Sequence, residues 1–429
     1  MKNFIILSFL WCSPLFAEPT ELRDWQSTAG TSIKASALGV EGTQVSLKAA
    51  DGREFKVPLD KFADEDQAFL KEHFAIKEPE PGQPTGSGVS KISEGLTYPV
   101  GETSGPIDVG GGSNLYVYVP KTLREGRKAP LMFVTGAGGG GKKSVVMYSE
   151  AAEVNGWIIA ASVESRNGPD HPEGNHEHAK RCVAHLLENL PIDKERVYFT
   201  GNSGGGAMSF YNALRITSAG NMPIIGYSPD KKYDKKQYCY GIGGTADYNR
   251  YLTAHAVSQY GDNGFHRFHP GGHSGGPAWI GDEGITWLNG RYLADRRKDA
   301  ELNDERLDYE ASMIGWIKKL KDSEAYRAHY WCQFLKEDYE IDGPNAVIVG
   351  ELFDELNGDP NNVRYTEGIA ELDEFSDKYL VSDGEGGGSQ FNHTNSRMKG
   401  AAEKMATEYA GVPLIEEIAK GLQEPTVGK

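Results

Sequence analysis

One stretch of this chain constrains its fold more than any other. Arg196, Val197, Tyr198, Phe199 and Thr200 form a β-rich run, Gly201, Asn202, Ser203, Gly204 and Gly205 follow as Gly-x-Ser-x-Gly, and 207–214 continue with helical character. The order is strand, tight turn, helix. A serine at the tip of such a turn takes a strained backbone conformation, and side chains beside it would collide, so Gly201 and Gly205 belong to the elbow. The turn lifts the hydroxyl above a sheet edge and aims the Gly204 N–H at whatever the hydroxyl attacks. The competing explanation is a glycine-rich turn in a Rossmann-like unit. With 53 glycines in the chain, the motif counts only through its strand and helix context.

A serine nucleophile needs a base, and the base needs an orienting acid, each on a loop after a later strand. The run 238–241 is strand-like and leads through Gly243, Gly244, Thr245 and Ala246 to Asp247, which therefore fits the acid. Asp230 and Asp262 are rivals on less well-placed loops. The last strand run, 265–269, is followed by Pro270, Gly271, Gly272 and His273, a flexible turn that carries His273 to the carboxyl edge. His266 lies inside the strand and His269 ends it, so His273 is the expected base. Backbone donors for an oxyanion are expected from the loop 135–141, with Ala137 or Gly138 acting beside Gly204.

Gly201 to Gly205, Gly244 to Asp247 and Pro270 to His273, in this order and spacing, resemble the secreted polyhydroxybutyrate-depolymerase, feruloyl-esterase and acetyl-xylan-esterase group over about residues 98–293. The resemblance implies an α/β-hydrolase fold and ester hydrolysis through an acyl-serine, with no metal and no cofactor. It also implies an ester substrate, polysaccharide-linked or a polyhydroxyalkanoate-type polyester. One departure stands out: the group usually has His-Gly at the oxyanion loop, where this chain has Thr135 and Gly136. A non-catalytic binding protein with a relic hydrolase core is the reading from another class, and the intact Ser203, Asp247 and His273 argue against it.

Two other patterns compete for chemistry. Gly136 to Lys142 fits a phosphate-cradling loop, but Lys143 occupies the position of the magnesium-binding Ser or Thr. Asp170, His171, Glu173, His176, Glu177 and His178 could gather a divalent metal, but a solvated loop entering a helix explains them more simply.

The remaining sequence sets the organisation. Lys2, an apolar run over 4–16 and Ala17 read as a cleaved export signal, with the mature chain starting at Glu18, secreted or periplasmic. The run is shorter than the roughly 20 apolar residues a membrane span needs. Arg23, Asp24, Trp25, then Gly42 to Val45, Asp51 to Arg53, Val57 to Leu59 and Asp66 to Leu70 resemble the SH3-like Sla-homology domain, over 18–74. This implies a small β-barrel that docks a peptide or surface partner. A Pro/Gly/Ser linker follows over 75–97, then the α/β domain over 98–297 and a helical extension over 298–429. A net charge of −16 without a basic stripe excludes nucleic acid as a partner. Removing Cys12 with the signal leaves Cys182, Cys239 and Cys332, which allow at most one disulfide.

Overall fold

A computed structural model of the chain describes residues 19–26, 32–41, 44–49, 52–58, 61–74, 96–381 and 396–426. The expected signal, the linker up to residue 95 and the glycine-rich segment 383–389 lie outside the described residues. The chain divides into two compact units, Met1–Val89 and Ser90–Lys429.

In the first unit β1 (Arg23–Gln26), β2 (Ser32–Glu41), β3 (Gln44–Ala49) and β4 (Glu54–Pro58) form an antiparallel sheet, followed by α1 (Asp64–His73). Trp25 is buried among Ala35, Ala37, Val45, Leu47, Phe62 and Leu70. Its indole donates to the Ala35 carbonyl at 2.8 Å. Asp66 accepts from Arg23 and from the Gln26 N–H, both at 2.7 Å, and so ties the helix back to the first strand. Among the described residues the strand order is β1-β2-β3-β4, with no pairing between β1 and β4.

The second unit is built on an eight-stranded sheet of β5 (Thr103–Asp108), β6 (Asn114–Tyr118), β7 (Ala129–Gly136), β8 (Ile158–Ser162), β9 (Ile192–Asn202), β10 (Gly220–Ile224), β11 (Tyr238–Gly244) and β12 (Gly264–His269). Their order is β12-β11-β10-β9-β7-β8-β6-β5. Strands β7 to β12 run parallel, while β6 pairs antiparallel with β5 and β8. Side chains alternate between two cores, as the period of two requires. Leu131, Phe133, Val197 and Phe199 face one core, whereas Met132, Val134 and Tyr198 face the other. After β7 the chain steps outward to β8 and then returns to lay β9 on the other side of β7. That reversal opens a crevice at the carboxyl ends of β7 and β9, where parallel sheets hold their ligands.

Two elements differ from expectation. The run 224–227 reads as a strand, yet the strand is Gly220–Ile224. Gly220, Asn221 and Pro223 disguise it; Pro223 pairs with Gly201 of β9, and the ladder to β11 passes over Met222 and Pro223. The apolar run 346–349 suggests a strand but lies within the helix α10 (Gly343–Leu356), whose first turn carries a proline. Cys182, Cys239 and Cys332 are all free and buried, and burial pushes the thiols of Cys182 and Cys332 up to about 12. No helix among the described residues is long and apolar enough to cross a membrane.

The residues after 297 do not form a separate body. Met313 and Ile317 of α8 (Asn303–Lys321) and Trp331, Phe334 and Leu335 of α9 (Ala325–Glu337) share one core with Met222, Tyr240 and Trp287. At about 1.5–3 kcal/mol for each large apolar side chain buried, peeling off these five would consume about the whole 5–15 kcal/mol margin of a domain. A buried charge cluster joins the same layers. Glu283 of α7 (Ala278–Ala294) is 1% exposed and accepts from Arg327 of α9 at 2.8 Å and from Arg267 of β12 at 3.4 Å. Arg267 also donates to the Tyr365 hydroxyl at 2.7 Å.

Removing Glu283 leaves Arg267 buried without a carboxylate and Arg327 with Glu324 alone. Glu283→Ala is expected to lose about 3–5 kcal/mol of stability in urea unfolding; a loss below about 1 kcal/mol would mean that the cluster is solvated or dispensable.

Candidate active site

The elbow is formed as the sequence pattern requires. Strand β9 ends at Asn202, Ser203 has φ 58° and ψ −113°, and α5 (Gly204–Ala213) begins at once. A positive φ at a non-glycine residue is costly and persists only where the surroundings impose it. They do so through hydrogen bonds and close packing. The Ser203 N–H donates to the Ile224 carbonyl at 2.9 Å, and the Ser203 carbonyl accepts from Ala207 at 3.0 Å. A Cβ at either Gly201 or Gly205 would collide with the Thr135 carbonyl oxygen. Thr135 is buried, and its hydroxyl lies 3.1 Å from the Thr200 carbonyl and 3.0 Å from that of Gly205. The threonine found in place of the histidine of the resembled group therefore pins β7 to the elbow.

Three side chains from three strand ends meet above the sheet. Ser203 Oγ lies 2.7 Å from His273 Nε2, and His273 Nδ1 lies 2.8 Å from Asp247 Oδ2. With a carboxylate as its partner, Nδ1 carries the proton and Nε2 is the acceptor for the serine. Asp247 has no exposed surface. Burial raises its carboxyl above the ordinary value, opposed by the Asn249 N–H and by the His273 imidazole. A hydroxyl, an imidazole and a buried carboxylate linked in this way can move a proton from oxygen to nitrogen and stabilise the imidazolium that results.

The two loops that carry the acid and the histidine are zipped together. Thr245 N–H donates to the His269 carbonyl at 3.1 Å, Ala246 N–H to that of Gly271 at 2.9 Å, and Gly271 N–H to the Thr245 hydroxyl at 3.2 Å. His269 clasps the turn bearing His273, with Nδ1 2.9 Å from the Pro270 carbonyl and Nε2 2.8 Å from that of Ser274. His266 points away into the core against the Ser376 hydroxyl at 3.0 Å, and burial lowers its imidazole to about 3. Asp230 is paired with Arg215, and Asp262 sits in the turn before β12. Arg250, fully buried, donates to the Thr245 carbonyl and, at 3.3 Å, to the Glu424 carbonyl just beyond the helix Ile415–Gln423.

The loop expected to supply oxyanion donors runs beside the elbow. Ala137 carbonyl accepts from the Asn167 N–H at 2.8 Å, Gly138 bridges to Arg166, and Gly140 N–H donates to the Ser162 carbonyl at 2.8 Å. Gly204 follows the serine in the first turn of α5, and the Asn167 side chain lies directly against it. The residues of the alternative metal cluster do not converge. His176 faces Asn212 at 2.9 Å, His178 faces Ser113 at 2.8 Å, and Glu177 pairs with Lys180. No group of three His, Cys, Asp or Glu able to hold a metal occurs among the described residues.

No pattern of residues points to Tyr248. Its ring stacks on His273 with centroids 4.1 Å apart at 21°, and its hydroxyl lies 2.7 Å from His273 Nε2. Only adjacency to Asp247 could have drawn attention to it.

The sheet order, the crossover and the strand-elbow-helix serine define the α/β-hydrolase class. No family model matches the chain, and no curated protein matches it. Among solved structures, a thermostable esterase is 20% identical over 41% of this chain and 58% of its own, with a TM-score of 0.34. A carbohydrate esterase from gut microbiota is 15% identical over 44% of this chain and 97% of its own, with a TM-score of 0.37. Acetyl xylan esterase from Aspergillus awamori is 16% identical over 44% of this chain and 99% of its own, with a TM-score of 0.36.

Because a Cβ at Gly205 runs into backbone and not into a pliable side chain, Gly205→Ala is expected to destabilise the protein by about 1–3 kcal/mol. It should also slow labelling of Ser203 by a fluorophosphonate at least about tenfold, as the elbow is displaced. Labelling at the unaltered rate would show that the elbow does not depend on the contact with Thr135.

Proposed function

We propose that this protein is a serine esterase in which Ser203 attacks the ester carbonyl, His273 accepts its proton and Asp247 holds the imidazole. The observation that carries the proposal is the continuous hydrogen-bonded chain from Ser203 Oγ through His273 to the buried Asp247, at 2.7 and 2.8 Å. The strained φ of Ser203 adds support, since strain of this kind at a polar residue in a crevice marks a functional position. Backbone N–H groups of Gly204 and of Ala137 or Gly138 stabilise the oxyanion, and water then releases the acyl group.

The substrate class is an ester attached to a polysaccharide, supported by the resemblance carried by Gly201 to Gly205, Gly244 to Asp247 and Pro270 to His273. The protein acts outside the cytoplasm, supported by Lys2, the apolar run over 4–16 and Ala17. The N-terminal unit docks a peptide or surface partner, supported by the Arg23, Trp25 and Asp66 pattern and the contacts that lock it.

Ser203→Ala is expected to abolish hydrolysis of short aryl esters, by at least about a thousandfold, while circular dichroism and the melting temperature stay as in the parent. Undiminished turnover in a folded variant would overturn the assignment. Expressed in a host with a secretion pathway, the protein is expected to appear outside the cytoplasm with Glu18 as its first residue. N-terminal sequencing that finds Met1 on the exported chain, or no export, would refute that part.

A further inference from the structure

Tyr248 brings a second hydroxyl to the reacting atoms. Its oxygen lies 2.7 Å from His273 Nε2, the nitrogen that also holds Ser203 Oγ at 2.7 Å. A ring stacked on the imidazole, with centroids 4.1 Å apart at 21°, reaches Nε2 from the face of the ring. The lone pair of Nε2 lies in the ring plane and is left to Ser203. The phenol therefore does not compete for the proton of the serine; it waits beside the nitrogen that will hold it. Burial, reinforced by the Asp247 carboxylate, raises the phenol above its ordinary value, so it stays protonated at neutral pH and can donate.

We propose that Tyr248 is a catalytic residue that donates a hydrogen bond to the alcohol oxygen leaving the acyl carbon while His273 Nε2 delivers the proton. The proposal rests on the serine-esterase assignment of Ser203. In acylation the Ser203 Oγ–C bond forms, the serine proton moves to Nε2, and the carbonyl electron pair goes to the oxyanion. When the tetrahedral intermediate collapses, the C–O bond to the alcohol breaks and its electron pair stays on the alcohol oxygen. That oxygen takes the proton from Nε2 and accepts a hydrogen bond from the Tyr248 hydroxyl, so the imidazole returns to its starting state and the phenol keeps its proton throughout. In deacylation the same path runs backwards, with water in place of the alcohol.

Such a donor matters most when the leaving oxygen is strongly basic. An aliphatic alkoxide must be protonated as it departs, whereas a nitrophenolate leaves without a proton. The experiment compares kcat/KM, which reports acylation, for ethyl acetate and nitrophenyl acetate in the parent and in Tyr248→Phe. The phenylalanine keeps the stacked ring and removes only the hydroxyl. The expected result is a loss on ethyl acetate at least about tenfold larger than the loss on nitrophenyl acetate, with Ser203 still labelled by a fluorophosphonate. Equal losses on the two esters would overturn this role, because the hydroxyl would then merely orient the imidazole. No loss on either would overturn it as well. So would failure of a folded Tyr248→Phe variant to label, since the hydroxyl would be acting on Ser203 and not on the leaving group. Failure of the parent protein to label at Ser203 is a different outcome, and it removes the esterase assignment itself.

Discussion

Everything at the active site depends on how closely β7 and β9 approach at their carboxyl ends. Gly201 and Gly205 lie so near the Thr135 carbonyl that neither can carry a side chain, and the Thr135 hydroxyl reaches the carbonyls of Thr200 and Gly205. This contact allows Ser203 to hold a φ of 58°, a value its own side chain resists. The strain is borne by two neighbouring strands inside a close-packed sheet, so the serine has little freedom to relax. The oxyanion loop starts from the same Thr135, which couples the position of the nucleophile to that of its expected electrostatic partners.

The acid and base are held by a different device. Loops are the mobile parts of most folds, yet here two loops exchange backbone hydrogen bonds and His269 closes the second on itself. The histidine that ends the strand thus serves as scaffold, and the one carried past two glycines reaches the serine. Beneath them, Glu283 fixes β12, α7 and α9 to one another through two buried arginines. The base therefore stands on a strand whose neighbours are joined by both apolar packing and charge.

How much of this was legible in the residues follows from where local pattern coincides with tertiary demand. Strand, elbow and helix around Ser203 were readable because turn geometry dictates glycine and the flanking periodicities differ. The sheet was readable where both faces are buried and runs are continuously apolar, as at 131–134 and 197–201. Strand β10 was not, since Gly220, Asn221 and Pro223 contradict strand propensity and are tolerated only because β9 and β11 flank them. Strand β5 escaped as well: an edge strand with half-exposed, polar residues carries little pattern. Tyr248 was invisible for a further reason, as a single tyrosine in a loop has no periodicity, and its meaning lies wholly in the stacking on His273. The helices after residue 297 were recognisable as helices, but nothing in their spacing revealed that they complete the core of the sheet.

The hydrogen bond from Arg250 to the Glu424 carbonyl bears on how the protein comes to be active during its synthesis. It joins residues 174 positions apart, and the same arginine holds the Thr245 carbonyl in the loop that leads to Asp247. Contacts of such long range form late, because a large loop must close before they are rewarded. As the chain emerges from its N-terminal end, Ser203, Asp247 and His273 all precede the segment that braces the acid loop by more than a hundred residues. The nucleophile can be in place on a growing chain well before its acid is secured, so maturation of the active site is tied to the arrival of a helix that contributes no catalytic group.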